Sequence, residues 1–519
     1  MEKLLSVAEM QSVEREANDK GLSYAAMMEN AGSNLAEFIN TTFDDTQRRS
    51  VLALVGSGNN GGDALVALRR LMDFGWKTYA YVVKFRPKGD LQLKRYTQRG
   101  GAFFDGGEDI DQINLAELLA QSSVLIDGRL GTGTRLPLPV EVTKALAFTK
   151  HFLAERSECP VVIAVDCPSG VDCDTGEAAP EALEANVTYT MAAIKLGLLK
   201  FPAANFVGEI RVGDIGDISG LSSWNSINRS VLTDRDVYQY LPPRPRNAHK
   251  GTFGTVLLVA GSGNYPGAVL LAGMGAYRIG TGLVKIAVPE LIYFSLIGAL
   301  IEATWIRLPH DMGWISKEAN QIVSEALHGV SALLLGPGMG LEKTTREFLE
   351  GLIRQALPKT VIDADGLKLL ADIPDWYSIL TEQVVLTPHP GEMAILTGLT
   401  KEQIQSNRVD VAEKYARLWG KVVVLKGAYT VIAEPGGSTA VVPVATPALA
   451  RAGTGDVLAG FIVGLLAQGL APFQAACAGV YIHAMAGLEA EKEQGNSSSV
   501  LAGDLLGAVP KILAKFIKM

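Results

Sequence analysis

Cysteine is scarce in this chain of 519 residues. The four cysteines have no CxxC spacing, and Cys159, Cys167 and Cys173 fall within one short stretch. Thiols placed in this way cannot form the disulfide framework of a small secreted fold, so we expect a reducing, cytoplasmic setting. The first residues lack the apolar core and small-residue cleavage site of a signal peptide, so export is not expected.

An excess of positive charge is missing as well. The chain has 47 Lys and Arg against 55 Asp and Glu, which gives a net charge of −8, and no segment concentrates basic residues. Nucleic-acid binders carry a basic surface that neutralises phosphates. A nucleic-acid partner is therefore not expected.

The chain also lacks an uninterrupted apolar run of membrane-spanning length. Residues 457–489 are uncharged until the end, but Gln468, Pro472, Gln474 and His483 interrupt the run. A span needs about 20 consecutive apolar residues. We therefore predict two buried core helices here, no membrane association, and a core position for His483.

Short apolar runs that alternate with Gly-rich turns and helical patterns are abundant. The length predicts two or three domains, and runs that are apolar throughout are typical of parallel strands covered on both faces. In the first half these runs are residues 51–55, 78–83, 124–126, 161–165 and 210–212. The predicted class is α/β, with a doubly wound first domain.

A proline-rich stretch at residues 241–247 follows a shift to polar composition and indicates a domain boundary near residue 225. The predicted domains are residues 1–225 and 228–519. The α/β pattern then restarts, with strands expected at residues 255–259, 332–335, 360–362, 384–386 and 422–425. Both halves begin with a strand, the sequence GSGN and a helix, but no repeat period is sustained.

The segment GSGNNGGD at residues 56–63 lies between a predicted strand and a predicted helix. Glycines there let backbone N–H groups approach an anion at a helix start, which predicts a phosphate-binding turn. Asn59, Asn60 and Asp63 add oxygens suited to a ribose hydroxyl or a hard monovalent cation. The alternative is a tight turn with Asp63 as the helix cap.

Two further strand ends carry acids. Asp127 precedes the sequence GTG at residues 131–133, and Asp166 precedes Ser169. Because ligands bind at the carboxyl ends of parallel strands, we expect these side chains to converge with Asn60 in one crevice. Taken singly, each acid is more often a cap than a catalyst.

Three motifs, MENAG at residues 28–32, GNNGGD at 58–63 and VDCPSGVD at 165–172, resemble the YjeF N-terminal family of NAD(P)H-hydrate epimerases over about residues 1–225. The resemblance implies a Rossmann-like domain that interconverts the R and S hydrates, with Asp166 as the catalytic acid at the reacting carbon. It implies a potassium ion held by Asn60, Asp127 and Ser169. The substrate-binding residues it implies are Asn59, Asn60, Gly61, Gly62, Asp63, Gly131, Thr132, Gly133, Thr134, Arg135, Leu136, Pro137 and Asp166.

The chain departs from this family pattern at two positions. Ala64 stands where the family usually has glycine, which a negative φ would tolerate. Arg129 lies beside Asp127, and two interpretations stay open for it: contact with a ligand phosphate, or a side chain that points to solvent.

In the second half, the sequence AGTGDVLAG at residues 452–460 leads into the long uncharged helix. Amides at such a helix start can stabilise a transferring phosphoryl group, and Asp456 can take a proton from a substrate hydroxyl. The alternative is a helix cap at Asp456. Lys426 begins a strand-end segment, residues 426–430, that suits nucleotide contacts or, alternatively, a plain hairpin.

Residues 453–456 together with TPHPGE at 387–392 resemble the YjeF C-terminal family of ADP- or ATP-dependent NAD(P)H-hydrate dehydratases, which have a ribokinase-like fold, over about residues 228–519. The sequence TPALAR at 446–451 differs from the commoner Asn-Pro-Gly-Met form and leaves the shape of that loop open. The resemblance implies Mg²⁺ with ADP as nucleotide, ADP being favoured by the fusion of the two domains. The residues it implies are Ala268, Gly338, His389 and the catalytic Asp456 for the hydrate, and Lys426, Gly427, Ala428, Tyr429, Thr430 and Gly455 for the nucleotide.

The two resemblances together imply a bifunctional enzyme that repairs hydrated NADH and NADPH and consumes ADP. Two alternatives stay open: a ribokinase-like small-molecule kinase with a stable phosphorylated product, and a first domain that is only a ligand-binding or protein scaffold. The high hydrophobic content, 48%, makes a homo-oligomer the expected assembly.

Overall fold

The computed structural model describes residues 1–43, 49–83, 86 and 89–517. The backbone divides into two compact units, Glu2–Asn228 and Arg229–Met519, with Met1 grouped in the second. We refer to them as the N-terminal and C-terminal domains.

The N-terminal domain is an α/β sheet domain. Its strands are β1 (Glu2–Leu5), β2 (Ser50–Val55), β3 (Lys77–Val82), β4 (Ala102–Asp105), β5 (Val124–Gly128), β6 (Val161–Val165), β7 (Val187–Met191), β8 (Ile194–Lys195) and β9 (Glu209–Gly213). Its helices are α1 (Val7–Asp19), α2 (Tyr24–Thr42), α3 (Asn59–Asp73), α4 (Leu91–Gln98), α5 (Ile113–Gln121), α6 (Val140–Ala154), α7 (Ala204–Val207) and α8 (Ser222–Asn225). Seven strands form one parallel sheet in the order β4-β3-β2-β5-β6-β7-β9, and β1 pairs with β8.

Both faces of this parallel sheet are covered, as the apolar runs predict. Val51, Ala53 and Val55 of β2 belong to one buried cluster, whereas Leu52 and Leu54 belong to the cluster on the opposite face. Alternate residues of a strand point to opposite faces, so a strand buried on both must be apolar throughout. The doubly wound α/β class is confirmed.

The start of α3 differs from the sequence interpretation, which predicts a loop up to residue 63. The helix begins at Asn59, so Asn59 to Asp63 form its first turns, and Gly58 rather than Asp63 is the cap. A Cβ on Gly61 would lie 2.1 Å from the carbonyl oxygen of Gly56. Glycine therefore lets the helix start pack directly on the preceding turn.

The C-terminal domain contains twelve strands: β10 (Arg229–Val231), β11 (Thr255–Val259), β12 (Leu283–Pro289), β13 (Thr304–Leu308), β14 (His310–Asp311), β15 (Trp314–Ile315), β16 (Ala332–Leu335), β17 (Lys359–Ile362), β18 (Val384–Leu386), β19 (Val422–Leu425), β20 (Val431–Ala433) and β21 (Thr439–Val441). Its helices are α9 (Asp234–Tyr240), α10 (Pro266–Arg278), α11 (Glu290–Leu296), α12 (Ala319–Ala326), α13 (Lys343–Ile353), α14 (Asp365–Ala371), α15 (Trp376–Ile379), α16 (Pro390–Thr397), α17 (Lys401–Ser406), α18 (Arg408–Trp419), α19 (Thr454–Ala467), α20 (Pro472–Gln494) and α21 (Ala502–Ile517).

Its main sheet has the order β13-β12-β11-β16-β17-β18-β19-β20-β21-β10. The pairs from β13 to β19 are parallel, and β19, β20 and β21 pair antiparallel. The separate pair β14 and β15 is antiparallel. The predicted parallel α/β layer is confirmed, and the antiparallel strands extend it at one side.

The long uncharged stretch forms α19 and α20, as predicted, and both helices contribute to the main buried cluster of this domain. None of the described helices is long and apolar enough to cross a membrane. A Cβ on Gly460 of α19 would lie 2.2 Å from the carbonyl oxygen of Ala272, and one on Gly275 would lie 2.9 Å from that of Val457. Glycine therefore brings the backbones of α10 and α19 into direct contact.

Candidate functional sites in the two domains

A cavity of about 170 Å³ lies in the N-terminal domain, where strand ends meet α1 and α2. Of the residues expected at the epimerase site, Asn59, Asn60, Asp63, Thr132 and Asp166 line it. The first three belong to the start of α3, and Asp166 directly follows β6. Asn60 and Asp166 converge here, as the open parallel sheet predicts, whereas Asp127 and Ser169 are fully buried and are not among the residues that line the cavity.

Asp166 has a strained backbone and a buried cationic partner. Its φ is +65°, in the left-handed region that favours glycine. The carboxylate is ion-paired with the ammonium of Lys195, which is fully buried, and accepts hydrogen bonds of 3.0 Å from Thr190 Oγ1 and 3.0 Å from the amide of Met191. These contacts fix the direction in which Asp166 presents its carboxylate to the cavity.

Two other acids line the same cavity without partners. Among the described residues, neither Asp63 nor Glu14 of α1 has a hydrogen bond or ion pair. Burial, followed by the negative charge of Asp166, raises the pKa of Asp63 well above its usual range and also raises the pKa of Glu14. The cavity thus holds an ion-paired carboxylate beside two carboxyl groups that are biased toward their protonated forms.

The residues expected to hold potassium form a compact group. Ser169 donates to Asp127 through its hydroxyl, at 2.5 Å, and through its amide, at 2.7 Å, and both side chains are fully buried. Asn60 Nδ2 donates to the carbonyl of Val165 at 2.5 Å. Burial raises the pKa of Asp127, against the hydrogen bonds from Ser169. An oxygen-rich set with one buried carboxylate fits a hard monovalent cation.

The expected dinucleotide loop, residues 131–137, reaches the cavity through Thr132. Thr134 folds the loop back, because its amide and its hydroxyl donate to the carbonyl of Gly131 at 2.9 and 2.7 Å. A Cβ on Gly131 would lie 2.1 Å from Asn60 Oδ1, so glycine is needed where the loop passes the start of α3. Gly133, Arg135 and Pro137 are exposed, and Leu136 is half-buried.

Arg129 is buried, so the interpretation that it points to solvent is wrong. Its Nη2 donates to the carbonyl of Glu141 at 2.8 Å, and its Nε and Nη1 have no hydrogen-bond partner among the described residues. Burial lowers its pKa to about 10, against the charge of Asp127. Ala64 lies within α3 and has no positive φ, so this departure from glycine is tolerated.

In the C-terminal domain, Lys426 lies in the middle of a cluster of acids. Its Nζ is 2.6 Å from Asp363 Oδ1 and 3.8 Å from Glu392 Oε2. Burial acts to lower the pKa of Lys426, but Asp363 and Glu392 outweigh it and the pKa is raised. A Cβ on Gly455 would lie 3.6 Å from the same Nζ, so the ammonium also adjoins the start of α19.

Asp456 lies in the first turn of α19 and is not its cap, since Gly453 holds that position with a φ of +89°. The interpretation of Asp456 as a helix cap is therefore wrong. Burial and the charge of Asp363 raise the pKa of Asp456 to about 7, although Lys426 opposes them. Such a carboxyl is matched to general-base catalysis near neutral pH, and the first amides of the helix have no partner within it.

Of the residues expected to bind the hydrate, His389 adjoins this cluster. His389 caps α16, where its Nδ1 accepts from the amide of Gly391 at 2.9 Å, and its Nε2 lies 3.2 Å from Glu392 Oε1. Gly338 has a φ of +63°, and a Cβ there would lie 3.1 Å from the Cβ of Ala268. His389 therefore contacts the acid cluster, and Gly338 and Ala268 adjoin each other.

The expected nucleotide segment forms a tight turn. Thr430 Oγ1 donates to the carbonyl of Gly427 at 2.7 Å, and Gly427 and Tyr429 both have positive φ. Ala428 is exposed and Tyr429 is half-buried, so a ligand can reach the turn. Arg408 lies under the turn and donates to the carbonyl of Leu425 at 2.7 Å.

His483 supports the start of α19 from the core, as predicted. It is buried and its Nε2 lies 2.9 Å from the carbonyl oxygen of Thr454. Burial lowers its pKa to about 4. The unusual segment at residues 446–451 contains a short 3₁₀ turn, Pro447–Leu449, and Thr454 Oγ1 ties it to the helix through the carbonyl of Leu449 at 2.9 Å.

The described residues contain no group of three or more His, Cys, Asp or Glu that could hold a metal ion. Magnesium is commonly held by one or two carboxylates together with substrate phosphates. The acids around Lys426 fit this second arrangement, in which the ion arrives with a nucleotide.

Four residues of these sites were missed by the sequence reasoning as site residues: Glu14, Lys195, Asp363 and Glu392. Lys195 had a usable signal, since it is the one charged residue between positions 185 and 199. Glu14 had none, because an acid on an amphipathic helix usually faces solvent.

Fold and sites together define a two-domain α/β protein with an acid-bearing site at the strand ends of each domain. The family model described as YjeF-related protein N-terminus matches residues 24–197, and the model described as NAD(P)H-hydrate dehydratase matches residues 256–511. The chain is 37% identical to the bifunctional NAD(P)H-hydrate repair enzyme Nnr of Moorella thermoacetica, over 98% of this chain and 96% of that protein. It is 34% identical to the enzyme of the same name from Salinibacter ruber, over 99% of this chain and 96% of that protein.

The chain belongs to the family of bifunctional NAD(P)H-hydrate repair enzymes. Among solved structures, the ADP/ATP-dependent NAD(P)H-hydrate dehydratase of Bacillus subtilis, co-crystallised with ATP/Mg²⁺, aligns at 31% identity. That alignment covers 56% of this chain and 100% of the other, with a TM-score of 0.48.

Proposed function

We propose that the chain carries two activities on hydrated NADH and NADPH. The N-terminal domain interconverts the R and S hydrates, and the C-terminal domain dehydrates the S form at the expense of ADP, with AMP and phosphate as products. The observation that carries the proposal is Asp456, an acid with a pKa raised to about 7 at a helix start beside the half-buried Lys426.

In the proposed dehydration, Asp456 takes the proton of the ring hydroxyl while that oxygen bonds to the terminal phosphorus of the nucleotide. The bond from this phosphorus to the leaving AMP oxygen breaks. The carbon–oxygen bond then breaks, phosphate departs with the electron pair, and loss of a proton from the neighbouring carbon restores the double bond. Phosphate is a much better leaving group than hydroxide, so the phosphoanhydride lowers the barrier to elimination.

The residues around Asp456 have supporting roles in this proposal. Lys426 and the free amides at the start of α19 stabilise negative charge on the transferring phosphoryl group. Ala268, Gly338 and His389 hold the hydrate, and the turn at residues 427–430, together with Gly455, holds the nucleotide. Magnesium would neutralise phosphate charge when bound, with oxygen donors from the acids around Lys426.

In the N-terminal domain, Asp166 faces the reacting carbon and is positioned by its ion pair with Lys195. Residues at the start of α3 and the loop at 131–137 bind the dinucleotide. Asn60, Asp127 and Ser169 would hold potassium, which supplies positive charge next to the substrate when bound. The four cysteines are free thiols, which supports a reducing, cytoplasmic setting, and we keep a homo-oligomer as the proposed assembly.

The test supplies purified S hydrate of NADH with Mg²⁺ and either ADP or ATP. Return of reduced-nicotinamide absorbance, with one AMP and one phosphate per NADH when ADP is used, supports the dehydratase. Accumulation of a stable phosphorylated product would instead identify a small-molecule kinase. The R hydrate is repaired only after conversion to S, so its repair measures the epimerase activity. If R converts to S no faster than it does spontaneously, the first domain is a scaffold and not an epimerase.

A further inference from the structure

The cavity of the N-terminal domain contains an acid that the epimerase assignment above does not use. Glu14 lies on α1 and lines the cavity together with Asp166 and Asp63. Among the described residues, Glu14 has no hydrogen bond or ion pair. A half-buried carboxyl group without a partner is costly unless it is protonated or has a ligand to contact.

Glu14 and Asp166 come from different walls of this cavity. Asp166 follows β6 at the end of the sheet, whereas α1 contributes Val7, Met10 and Gln11 along with Glu14. Met10, Met27 and Met191 add apolar surface to a lining that is otherwise largely polar. A ligand that enters this cavity therefore meets a carboxyl group of α1 as well as the carboxyl group that follows β6.

The environments of the two acids differ in the direction that a proton-transfer pair requires. Asp166 is ion-paired with Lys195 and accepts two further hydrogen bonds. Burial raises the pKa of Glu14, and the charge of Asp166 adds to this effect, with Lys195 opposing. A carboxyl group biased toward its protonated form, together with a second carboxyl group that is ion-paired, supplies the elements of an acid and a base.

The chemistry of the hydrates calls for such a pair. The R and S forms differ at a ring carbon that bears a hydroxyl and is bonded to the ring nitrogen. Loss of the hydroxyl as water leaves a cation that the nitrogen lone pair stabilises, as a ring oxygen stabilises the cation in glycoside hydrolysis. Inversion then needs an acid on the face that water leaves and a base on the face that water enters.

We propose that Glu14 is a second catalytic residue of the epimerase, and that Glu14 and Asp166 act on opposite faces of the hydroxyl-bearing carbon. This inference rests on the proposed epimerase function. In one direction Glu14 gives its proton to the hydroxyl, the carbon–oxygen bond breaks, and water leaves with the electron pair. A second water bonds to the opposite face, and Asp166 takes its proton.

The two carboxyls exchange roles in the reverse direction, so protons and atoms balance over each conversion. Every inversion by this route replaces the oxygen of the hydroxyl group with an oxygen from solvent. A route through ring opening and rotation would invert the same carbon and keep the original oxygen. The origin of the oxygen therefore separates the two routes.

The experiment uses the full-length protein with the R hydrate of NADH in ¹⁸O-labelled water and no nucleotide, so that only epimerisation proceeds. Wild type is expected to form S hydrate that carries one solvent oxygen. Glu14→Gln, which keeps size and removes the proton, is expected to lower kcat for epimerisation by about 100-fold or more. The change in KM is expected to be below about threefold, because Glu14 acts on the reacting group.

The matched control is Asp19→Asn, which removes one charge from the exposed end of the same helix and is expected to leave epimerisation at the wild-type rate. Glu14→Asp, which restores a carboxyl at shorter reach, is expected to recover part of the loss. Dehydration of pure S hydrate with ADP shows whether the C-terminal domain of each variant is folded. Circular dichroism, compared with wild type, shows whether the N-terminal domain is folded as well.

Two results would overturn the inference: S hydrate that retains the original oxygen, or a Glu14→Gln variant that is as fast as Asp19→Asn. Both presuppose that wild type epimerises. Absence of epimerisation in wild type would instead reject the function on which the inference rests, so the two failures are distinguishable.

Discussion

Lys426 Nζ lies 2.6 Å from Asp363 Oδ1 in the C-terminal domain, where Asp363 is almost completely buried. Thr387 Oγ1 donates to the same carboxylate oxygen at 2.7 Å. The pair joins the end of β17 to the end of β19, and it brings a positive charge next to the helix start that carries Asp456. Lys426 thus has two effects: its positive charge compensates the buried acids, and it limits how far the pKa of Asp456 is raised.

Asp456→Asn is expected to slow dehydration of the S hydrate by about 10²–10⁴-fold, because a positioned general base contributes that much. Steady-state assays with ADP measure the loss, and the R-to-S conversion of the same protein is the internal control, since Asp456 belongs to the other domain. An unchanged rate of dehydration would show that another group accepts the proton.

The rate of dehydration is expected to increase with pH. A general base acts when deprotonated, and the pKa of Asp456 is about 7, so kcat/KM for the S hydrate should rise about tenfold per pH unit below 7 and level off above it. A profile that stays flat from pH 5 to 9 would contradict the assignment.

The same shift predicts an effect on stability. The unfolded chain releases this proton near pH 4, whereas the folded domain keeps it up to about 7. The contribution of Asp456 to folding stability is therefore full below pH 4 and falls as the pH rises to 7. Asp456→Asn should remove this decline, as urea unfolding at pH 5 and pH 8 would measure.

Lys426→Met is expected to move the midpoint of the pH–rate profile to higher pH, because Lys426 is the cation that opposes the raised pKa of Asp456. It should also destabilise the domain by about 3–5 kcal/mol, since a buried ion pair loses one partner. The double variant Lys426→Met with Asp363→Asn removes both charges. Its midpoint should return toward that of wild type, and a midpoint equal to that of the single variant would contradict this electrostatic account.

Gly61→Ala and Gly62→Ala form a matched pair at the start of α3. The new Cβ on residue 61 would meet the backbone oxygen of Gly56 at 2.1 Å, whereas that on residue 62 would meet the flexible end of Met28 at 2.7 Å. We expect Gly61→Ala to lower the free energy of unfolding by about 1–3 kcal/mol. It should also remove most of the epimerase activity. Gly62→Ala should fold at nearly wild-type stability, as denaturant unfolding would show, and equal losses would contradict this packing argument.

Most of the strands that the sequence predicts correctly are apolar along nearly their whole length, and β9, which contains Arg211, is an exception. β7 was missed because Thr188 and Thr190 interrupt its pattern, although both are fully buried and their hydroxyls bond to the carbonyl of Val207 and to Asp166. β12 was missed because Lys285 lies in it and reaches out to the carbonyl of Ala326 at 3.2 Å. Polar residues with internal partners conceal a strand from a pattern based on hydrophobicity.

The same reasoning limits what the sequence reveals about the sites. Asn60, Asp127 and Asp166 were predictable because parallel strands direct their carboxyl ends to one edge. Glu14 was not, because it reaches the cavity from α1, a helix whose position depends on tertiary packing. The raised pKa of Asp456 was equally unreadable, since it arises from burial and from Asp363, 93 positions earlier in the sequence.

The glycine contact between α10 and α19 limits how the C-terminal site can move. α10 carries Ala268 beside the expected hydrate, and α19 carries Asp456. With a backbone oxygen of one helix lying against Gly460 of the other, neither can slide without a clash of main-chain atoms. The proposed base and the proposed wall of the site are therefore expected to move together, so that a closure over nucleotide is expected in the surrounding turns rather than between these two helices.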